Sequence, residues 1–334
     1  MFKLRRMVLV AAVISLVAIP ASANTFRAAD LVYLPAVAST PGGGGSFFKT
    51  DVFISNISGS IVDVDIAFAP TGGGDNTSAL LPANMRRITL APGERREVVD
   101  ILSSLFGQQG LGQLLFFACR QGGNCDDCDA DSSDCELITV QGRIYTEGGG
   151  NACPQAAPNC TFGQLFSGIP WYNFAAGDDL STSLGYDSVF MAGLRQGTAF
   201  RSNVGITNAS TDYSMVLRIR LFSNSGQVVG TAERTLGPLG HIQANVAALF
   251  PGFTGNGFVV VDQTSATRVT PVTEPPDQAP IPGFFAYASM VDNVSNDPTT
   301  LEAQFNQELP FACVYGDAGK NPASRLRRPA AVVR

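Results

Sequence analysis

Histidine is nearly missing from this chain of 334 residues, with His241 its sole representative. Metal catalysis built on two or three imidazoles is thereby excluded. A Ser-His-Asp triad would have to use His241, and no Gly-x-Ser-x-Gly elbow supplies a serine for it. Charged residues are also sparse, at 15% of the chain, and acidic ones outnumber basic ones by 28 to 22. Such a chain lacks the basic stripe that tracks a phosphate backbone, so nucleic acid is not an expected partner. The run Arg325-Leu326-Arg327-Arg328 reads as part of a solvated tail. Phosphate-cradling glycine motifs that join a strand to a helix are absent, and the run Gly42 to Gly45 reads as a flexible loop. Beyond residue 23 no apolar stretch approaches the ~20 residues of a spanning helix, so no transmembrane segment is expected in the mature chain.

The first 23 residues differ in composition from everything after them. Lys3, Arg5 and Arg6 precede an apolar run from Met7 to Ile19, and Ala21-Ser22-Ala23 offers a small-residue cleavage site. That order is the one expected of a secretory signal peptide, cut before Asn24. No cysteine follows the apolar run closely, so a lipoprotein has no acceptor thiol. The expected address is secreted: periplasmic, cell-surface or extracellular. Cleavage would remove three basic residues and no acidic one, leaving 19 against 28 and a net charge of −9.

About 311 residues then remain, more than one β-sandwich holds, and two domains are expected. Thirty-five Gly and twenty Pro suit many short strands joined by tight turns. The chain also aligns with itself. Phe48-Lys49-Thr50-Asp51-Val52-Phe53-Ile54-Ser55-Asn56-Ile57-Ser58 matches Phe200-Arg201-Ser202-Asn203-Val204-Gly205-Ile206-Thr207-Asn208-Ala209-Ser210. Leu34-Pro35-Ala36-Val37 answers Met191-Ala192-Gly193-Leu194 upstream, and Leu90-Ala91-Pro92-Gly93 answers Leu236-Gly237-Pro238-Leu239 downstream. Residues 114–118 are set against 258–262. Val62, Val64, Ile66 and Phe68 alternate with Asp63, Asp65 and Ala67, the period of a strand with one buried face. Residues 101–106 and 246–250 each read as a single helical turn.

The recurring order is an opening strand of the Tyr-Leu-Pro-Ala-Val-Ala type, then Phe-(Lys/Arg)-(Thr/Ser)-(Asp/Asn)-Val-x-Ile-(Ser/Thr)-Asn-x-Ser, then Leu-x-Pro. It resembles uncharacterised exported bacterial proteins with tandem immunoglobulin-like β-sandwich repeats. The resemblance covers most of residues 30–313 and implies an all-β fold and an extracytoplasmic address. It carries no catalytic residue and no substrate. The expected plan is a first β-sandwich unit over 24–177 with a Cys- and Asp-rich insertion at 119–160, and a linker over 178–187. A second unit follows over 188–315, containing a long Pro-rich loop at 264–282, and then a disordered tail over 316–334.

All seven cysteines lie beyond residue 23, six of them between 119 and 160. In an oxidising compartment they are expected to pair. The preferred set closes a hairpin neck with Cys119–Cys135 and adds Cys125–Cys128 and Cys153–Cys160. Loop entropy gives about 3 kcal/mol for the ring from 119 to 135. Cys313 is left over, to be buried or to pair elsewhere. A four-cysteine zinc site is the alternative, but only one Cys-x2-Cys knuckle exists. Within the insertion, Asp127, Asp129 and Asp131 have the i, i+2, i+4 spacing of a Ca²⁺ loop, with Asp134 beside them. Ser132 and Ile138 stand where an EF-hand needs Gly and Glu, so a solvated acidic loop is the competing reading. Any Ca²⁺ there would be structural, and no other cofactor is expected.

Glu94 and Glu97 lie near a turn, are not repeated, and read as surface charge. His241 follows Gly240 where the first copy has Arg95, which suggests a strand edge. The ligand candidates are loop aromatics. Trp171 and Tyr172 could stack on sugars or anchor a partner, although packing between domains is favoured for them. Phe48 has a repeat match in Phe200 and reads as core, which leaves Phe47 as a candidate ligand ring. The function expected is a non-enzymatic interaction or envelope-structural role, with a protein or polysaccharide partner at the cell envelope. A carbohydrate-binding or carbohydrate-active protein is the alternative. A surface polymer built by strand addition is a third reading, and the sequence does not fix an oligomeric state.

Overall fold

Runs of Val, Ile, Phe and Thr broken by Gly, Asn and Pro favour strands joined by turns, and the fold follows. The computed structural model describes residues 28–42, 46–123, 125, 134–147, 161–176, 188–272, 282–295 and 297–306. The protein is all-β, and its sheets pair antiparallel.

β1 (Leu31–Pro41) serves two layers. Its residues 31–39 pair with β6 (Gly110–Arg120), while Thr40 and Pro41 pair with β2 (Phe47–Asn56). One layer therefore runs β4 (Arg86–Leu90), β3 (Val62–Pro70), β6, β1 and β9 (Ile169–Pro170). The other runs β5 (Arg95–Val98), β2, β7 (Ile138–Glu147) and β8 (Thr161–Ser167). Val52, Ile54, Val64, Ile66, Leu114 and Phe116 fill the space between them.

Two five-stranded sheets follow. The first joins β10 (Ala175–Ala176), β17 (Gly283–Asp292), β12 (Phe200–Asn208) and β15 (His241–Asn245), with β18 (Pro298–Leu301) also on β17. The second runs β14 (Val228–Leu236), β13 (Tyr213–Ser223), β16 (Gly255–Arg268), β11 (Ser188–Gln196) and β19 (Gln304–Asn306). Val204, Ile206, Leu217, Ile219, Val259 and Phe284 form the core between these sheets. One-turn helices occupy Ile101–Ser104 and Val246–Leu249, within the two segments expected to hold them. The expected loop at 264–282 begins later than the sequence suggested. Residues 265–268 continue β16 and pair with 213–216, because prolines start only at Pro271.

The repeated motif owes its polar letters to fixed hydrogen bonds. Thr50 Oγ1 accepts from Ala38 N and donates to Ala38 O; Ser202 Oγ does the same with Arg195. Asn56 Nδ2 donates to the carbonyls of Ser60, Leu90 and Ala91, and Asn208 Nδ2 to those of Tyr213, Leu236 and Gly237. The two Oδ1 atoms accept from the backbone N of Ser58 and of Ser210. Both asparagines are buried, so each ties a strand end to two neighbouring turns without leaving a polar atom orphaned.

A third core lies where the two halves of the chain meet. Leu31, Tyr33, Ala67, Ala69, Leu115 and Phe117 pack there with Phe174, Ala209, Leu239 and Phe285. This changes the expectation for β3. Val62, Val64 and Ile66 are buried as the alternation requires, but Asp63, Ala67 and Ala69 are buried as well. The layer β3-β6-β1 is covered on both faces, which accounts for the unbroken apolar run Leu114-Leu115-Phe116-Phe117 in β6.

Candidate functional site

The most elaborate polar construction among the described residues lies at this third core. Leu239 occupies a turn before β15 with φ of 53°, a left-handed conformation that costs a branched residue ~1–2 kcal/mol. Gly93 takes the same conformation, φ 72°, in the turn before β5. Leu239 adopts it fully buried, and burying a leucine contributes roughly 1.5–3 kcal/mol, enough to offset the strain. Its carbonyl accepts from Gln113 Nε2 and Asn76 Nδ2, both at 3.1 Å, and its N donates to Ser210 O. Tyr33 Oη donates to Ala209 O at 3.2 Å. Tyr33, Phe174 and Phe285 meet with ring centroids 5.0–5.6 Å apart. Backbone bonds complete the seam: Gly72 N and Gly73 N donate to His241 O, Asn76 N to Pro238 O, and Gly237 N to Gly73 O.

His241 starts β15, the edge strand of its sheet, but it is only 1% exposed. Its Nε2 lies 3.1 Å from Tyr287 Oη, which donates to Gln243 Oε1 at 3.2 Å. With the hydroxyl proton directed to Gln243, the imidazole carries its own proton on Nε2. Its Nδ1 then has no hydrogen-bond partner among the described residues. Burial pushes the imidazole down to about 4 and raises the Tyr287 phenol well above its ordinary range. Gly205 leaves room for this pair, because a Cβ there would overlap the Tyr287 ring. The arrangement ties β15 to β17 across β12 within one sheet through neutral groups, and its imidazole is closed to solvent.

Elsewhere, one ion-pair cluster stands out. On the outward face of β13 and β16, Arg218 and Arg220 both donate to Asp262, whose side chain is 4% exposed. An open groove between β8 and β18 is lined by Leu165, Ser167, Ala192, Thr300, Leu301, Glu302 and Gln304, which gives it one carboxylate.

The cysteine pairing differs from the expected one. Cys119 is bonded to Cys125, and Cys135 is itself oxidised, so neither Cys119–Cys135 nor Cys125–Cys128 forms. Cys119 and Cys135 do face each other across the hairpin neck. The turn at Gln121-Gly122-Gly123, with Gly122 at φ 78°, folds the chain back and brings Cys125 to a Cα distance of 4.9 Å from Cys119. Both side chains are buried in the third core, and their disulfide removes the thiolates a zinc site would need. Cys128, Cys153, Cys160 and Cys313 lie outside the described residues, as do Asp127, Asp129 and Asp131. Asp134 accepts from Arg120 N through its backbone carbonyl.

Trp171 packs against the first and third cores, and its Nε1 donates to Asp30 Oδ1 at 2.9 Å. The Tyr172 side chain lies outside the described residues. Phe47 is half-buried at the start of β2, opposite Pro41. The sequence candidates are thus not gathered into one site. Leu239, Tyr287, Gln113 and Asn76 went unnoticed in the sequence. Only Leu239 left a signal there, as a leucine aligned with Gly93. No family model, no curated protein and no solved structure matches this chain.

Proposed function

We propose that this chain is an exported, non-enzymatic scaffold of two duplicated immunoglobulin-like sandwich units, working in interaction or structure at the cell envelope. Residues 24–177 make the first unit and 188–315 the second, with 178–187 between them. Duplication is supported by strand register as well as by the Thr50/Ser202 and Asn56/Asn208 bonds. Tyr33 lies between Leu115 and Ile169, and Phe190 between Val260 and Gln304. Both strands then break register, at Leu34/Val37 and Met191/Leu194. By this register 258–262 answers 113–117, one residue away from the sequence alignment, and a one-residue slip exchanges the two faces.

The observation that carries the scaffold reading is the junction. It is packed and hydrogen-bonded like a domain interior, which suits a rigid spacer and not two tethered binding modules. Export is supported by the composition of residues 1–23, and the Cys119–Cys125 bond fits an oxidising compartment. Trp171 is committed to packing and to Asp30, which favours the scaffold over sugar stacking at that ring.

The test is retention of the oxidised mature protein on envelope fractions and on insoluble polysaccharides, with and without EDTA. The scaffold reading expects capture of an envelope protein, or of the protein itself, and none on polysaccharide. Retention on polysaccharide that Phe47→Ala abolishes would replace it with the carbohydrate reading, and turnover of any glycan would overturn the non-enzymatic one. Loss of retention in EDTA would assign the acidic insertion a Ca²⁺ role.

A further inference from the structure

Seven buried side-chain polar atoms have no hydrogen-bond partner among the described residues, and three of them belong to the third core: Gln113 Oε1, Thr207 Oγ1 and His241 Nδ1. Their residues are 0%, 0% and 1% exposed. Protein interiors seldom leave such atoms unmatched, because an unpaired polar group away from solvent loses its hydration and gains nothing for it.

Strand register brings the three side chains together. Thr207 in β12 lies directly opposite His241 in β15 and, on its other side, opposite Phe285 in β17. All three therefore share the face that meets the first half of the chain, where Phe285 is part of the third core. Opposed side chains on one face stand about 4.5–5.5 Å apart at Cβ, a spacing that one small molecule bridges. From the other half, Gln113 pairs with Ala69 and alternates in β6 with Leu115 and Phe117, all of them neighbours in the third core. Thr71, two residues beyond Ala69, bridges to His241. Leu239, two residues before His241, accepts from Gln113 Nε2. The Gln113 amide and the His241 ring thus flank one short stretch of backbone.

The role of each atom follows from its bonded neighbours. Gln113 Nε2 faces the Leu239 carbonyl, which can only accept, so the amide is fixed and Oε1 is an acceptor. His241 carries its proton on Nε2, toward Tyr287, and Nδ1 is an acceptor too. Thr207 alone supplies a proton. Two acceptors and one hydroxyl donor are the complement of a single water molecule, which gives two protons and takes one. A cation fits them poorly, since all three groups are neutral and an unpaired buried charge is costly.

We propose that the junction binds one internal water, which donates to His241 Nδ1 and Gln113 Oε1 and accepts from Thr207 Oγ1. Neither half of the chain holds all three groups, so the site exists only when the halves are docked. It does not depend on what the protein binds, nor on the scaffold reading.

Water-selective NOE spectroscopy of the full mature chain, with the histidine ring and threonine methyls labelled, tests it. His241 is the sole histidine, and its Cε1–H lies between the two ring nitrogens, so it reports without overlap. Cross-peaks from water to this proton and to the Thr207 methyl are expected, with the sign of a long-lived complex. Absence of both overturns the proposal. Exchange relayed through the Thr207 or Tyr287 hydroxyl imitates such peaks, and Gln113→Leu separates the two cases, because it removes a water partner and leaves both hydroxyls. This variant is expected to lose most of the cross-peak intensity; full intensity in the folded variant overturns the water. A crystal structure of the wild type needs no substitution. One ordered water is expected within about 3.2 Å of all three atoms, and direct bonds among them with no water between would overturn the proposal equally.

Discussion

Replacing His241 with glutamine removes from the junction a group that the fold keeps neutral, and the consequence appears as a slope of stability against pH. An imidazole in the unfolded chain takes up its proton near 6.5, whereas burial holds the folded one near 4. The folded value lies below the unfolded one, so the sign follows directly. Above 6.5 both states are neutral and His241 contributes no pH dependence. Between 6.5 and about 4 the unfolded chain binds a proton that the folded chain refuses, and stability falls as the solution is acidified. Below about 4 both states are protonated and the loss stops growing. At about 1.4 kcal/mol per unit, the total is roughly 3 kcal/mol. Urea unfolding of wild type and His241→Gln, followed by Trp171 fluorescence and circular dichroism at pH 7, 6, 5 and 4, measures it. Carboxylate titrations are common to both proteins and cancel in the difference. The wild-type advantage over the variant is expected to shrink by about 3 kcal/mol between pH 7 and pH 4. A flat difference would refute the argument, and so would a rising one, which is the behaviour of a histidine paired with a carboxylate.

Leu239→Ala is expected to cost about 2–5 kcal/mol, the range for emptying a well-packed leucine site, seen as a lowered urea midpoint. Gly205→Ala drives a methyl group into the Tyr287 ring and is expected to cost about 1–3 kcal/mol by the same measurement. Tyr33→Phe keeps the ring contacts and removes the bond to Ala209 O, for a loss of about 1 kcal/mol. Cys125→Ser opens the short ring closed with Cys119 and is expected to cost roughly 2 kcal/mol. Non-reducing peptide mapping of the wild type should recover Cys119 and Cys125 joined, and recovery of Cys119 joined to Cys135 would refute that assignment.

What could be read in the sequence was whatever the local chain had to satisfy by itself. Asn56 and Asn208 recur because a strand end must be tied to two turns, and Thr50 and Ser202 because a bulged neighbouring strand needs both a donor and an acceptor. The one-turn helices were visible for the same reason. Contacts between sheets were not visible, because they depend on which outward face meets which. Asp63 and Ala67 read as solvent-facing by their alternation, and only the unbroken run in β6 hinted that this face is covered. The disulfide was missed on similar grounds. Loop-entropy reasoning favours the longer ring, but the turn at Gly122 decides which sulfur lies beneath Cys119.

Under the proposed duplication, the two copies diverge where only one of them meets a neighbour. In β3, Ala67 and Ala69 are small enough to let Phe285 and Phe174 approach, and Phe117 lies beside them in β6. The register places Arg220, Phe222 and Asp262 at these positions in the second copy. A second contact of the same kind would drive a leucine like Leu239 against an arginine and a phenylalanine, and take out of water the two arginines that hold the buried Asp262. The opposite end shows the complementary change. Ala209 and Leu239 are buried at the junction, while their first-copy counterparts are Ile57, 55% exposed, and Gly93, exposed and with no side chain to insert. One unit thus carries the socket and the other the plug. Repeats that stack need outer faces unlike their inner ones, and here the Arg218–Asp262–Arg220 cluster supplies the difference. The duplicated fold therefore specifies one docking between its copies, and its sequence differences select against a third unit added by the same contact.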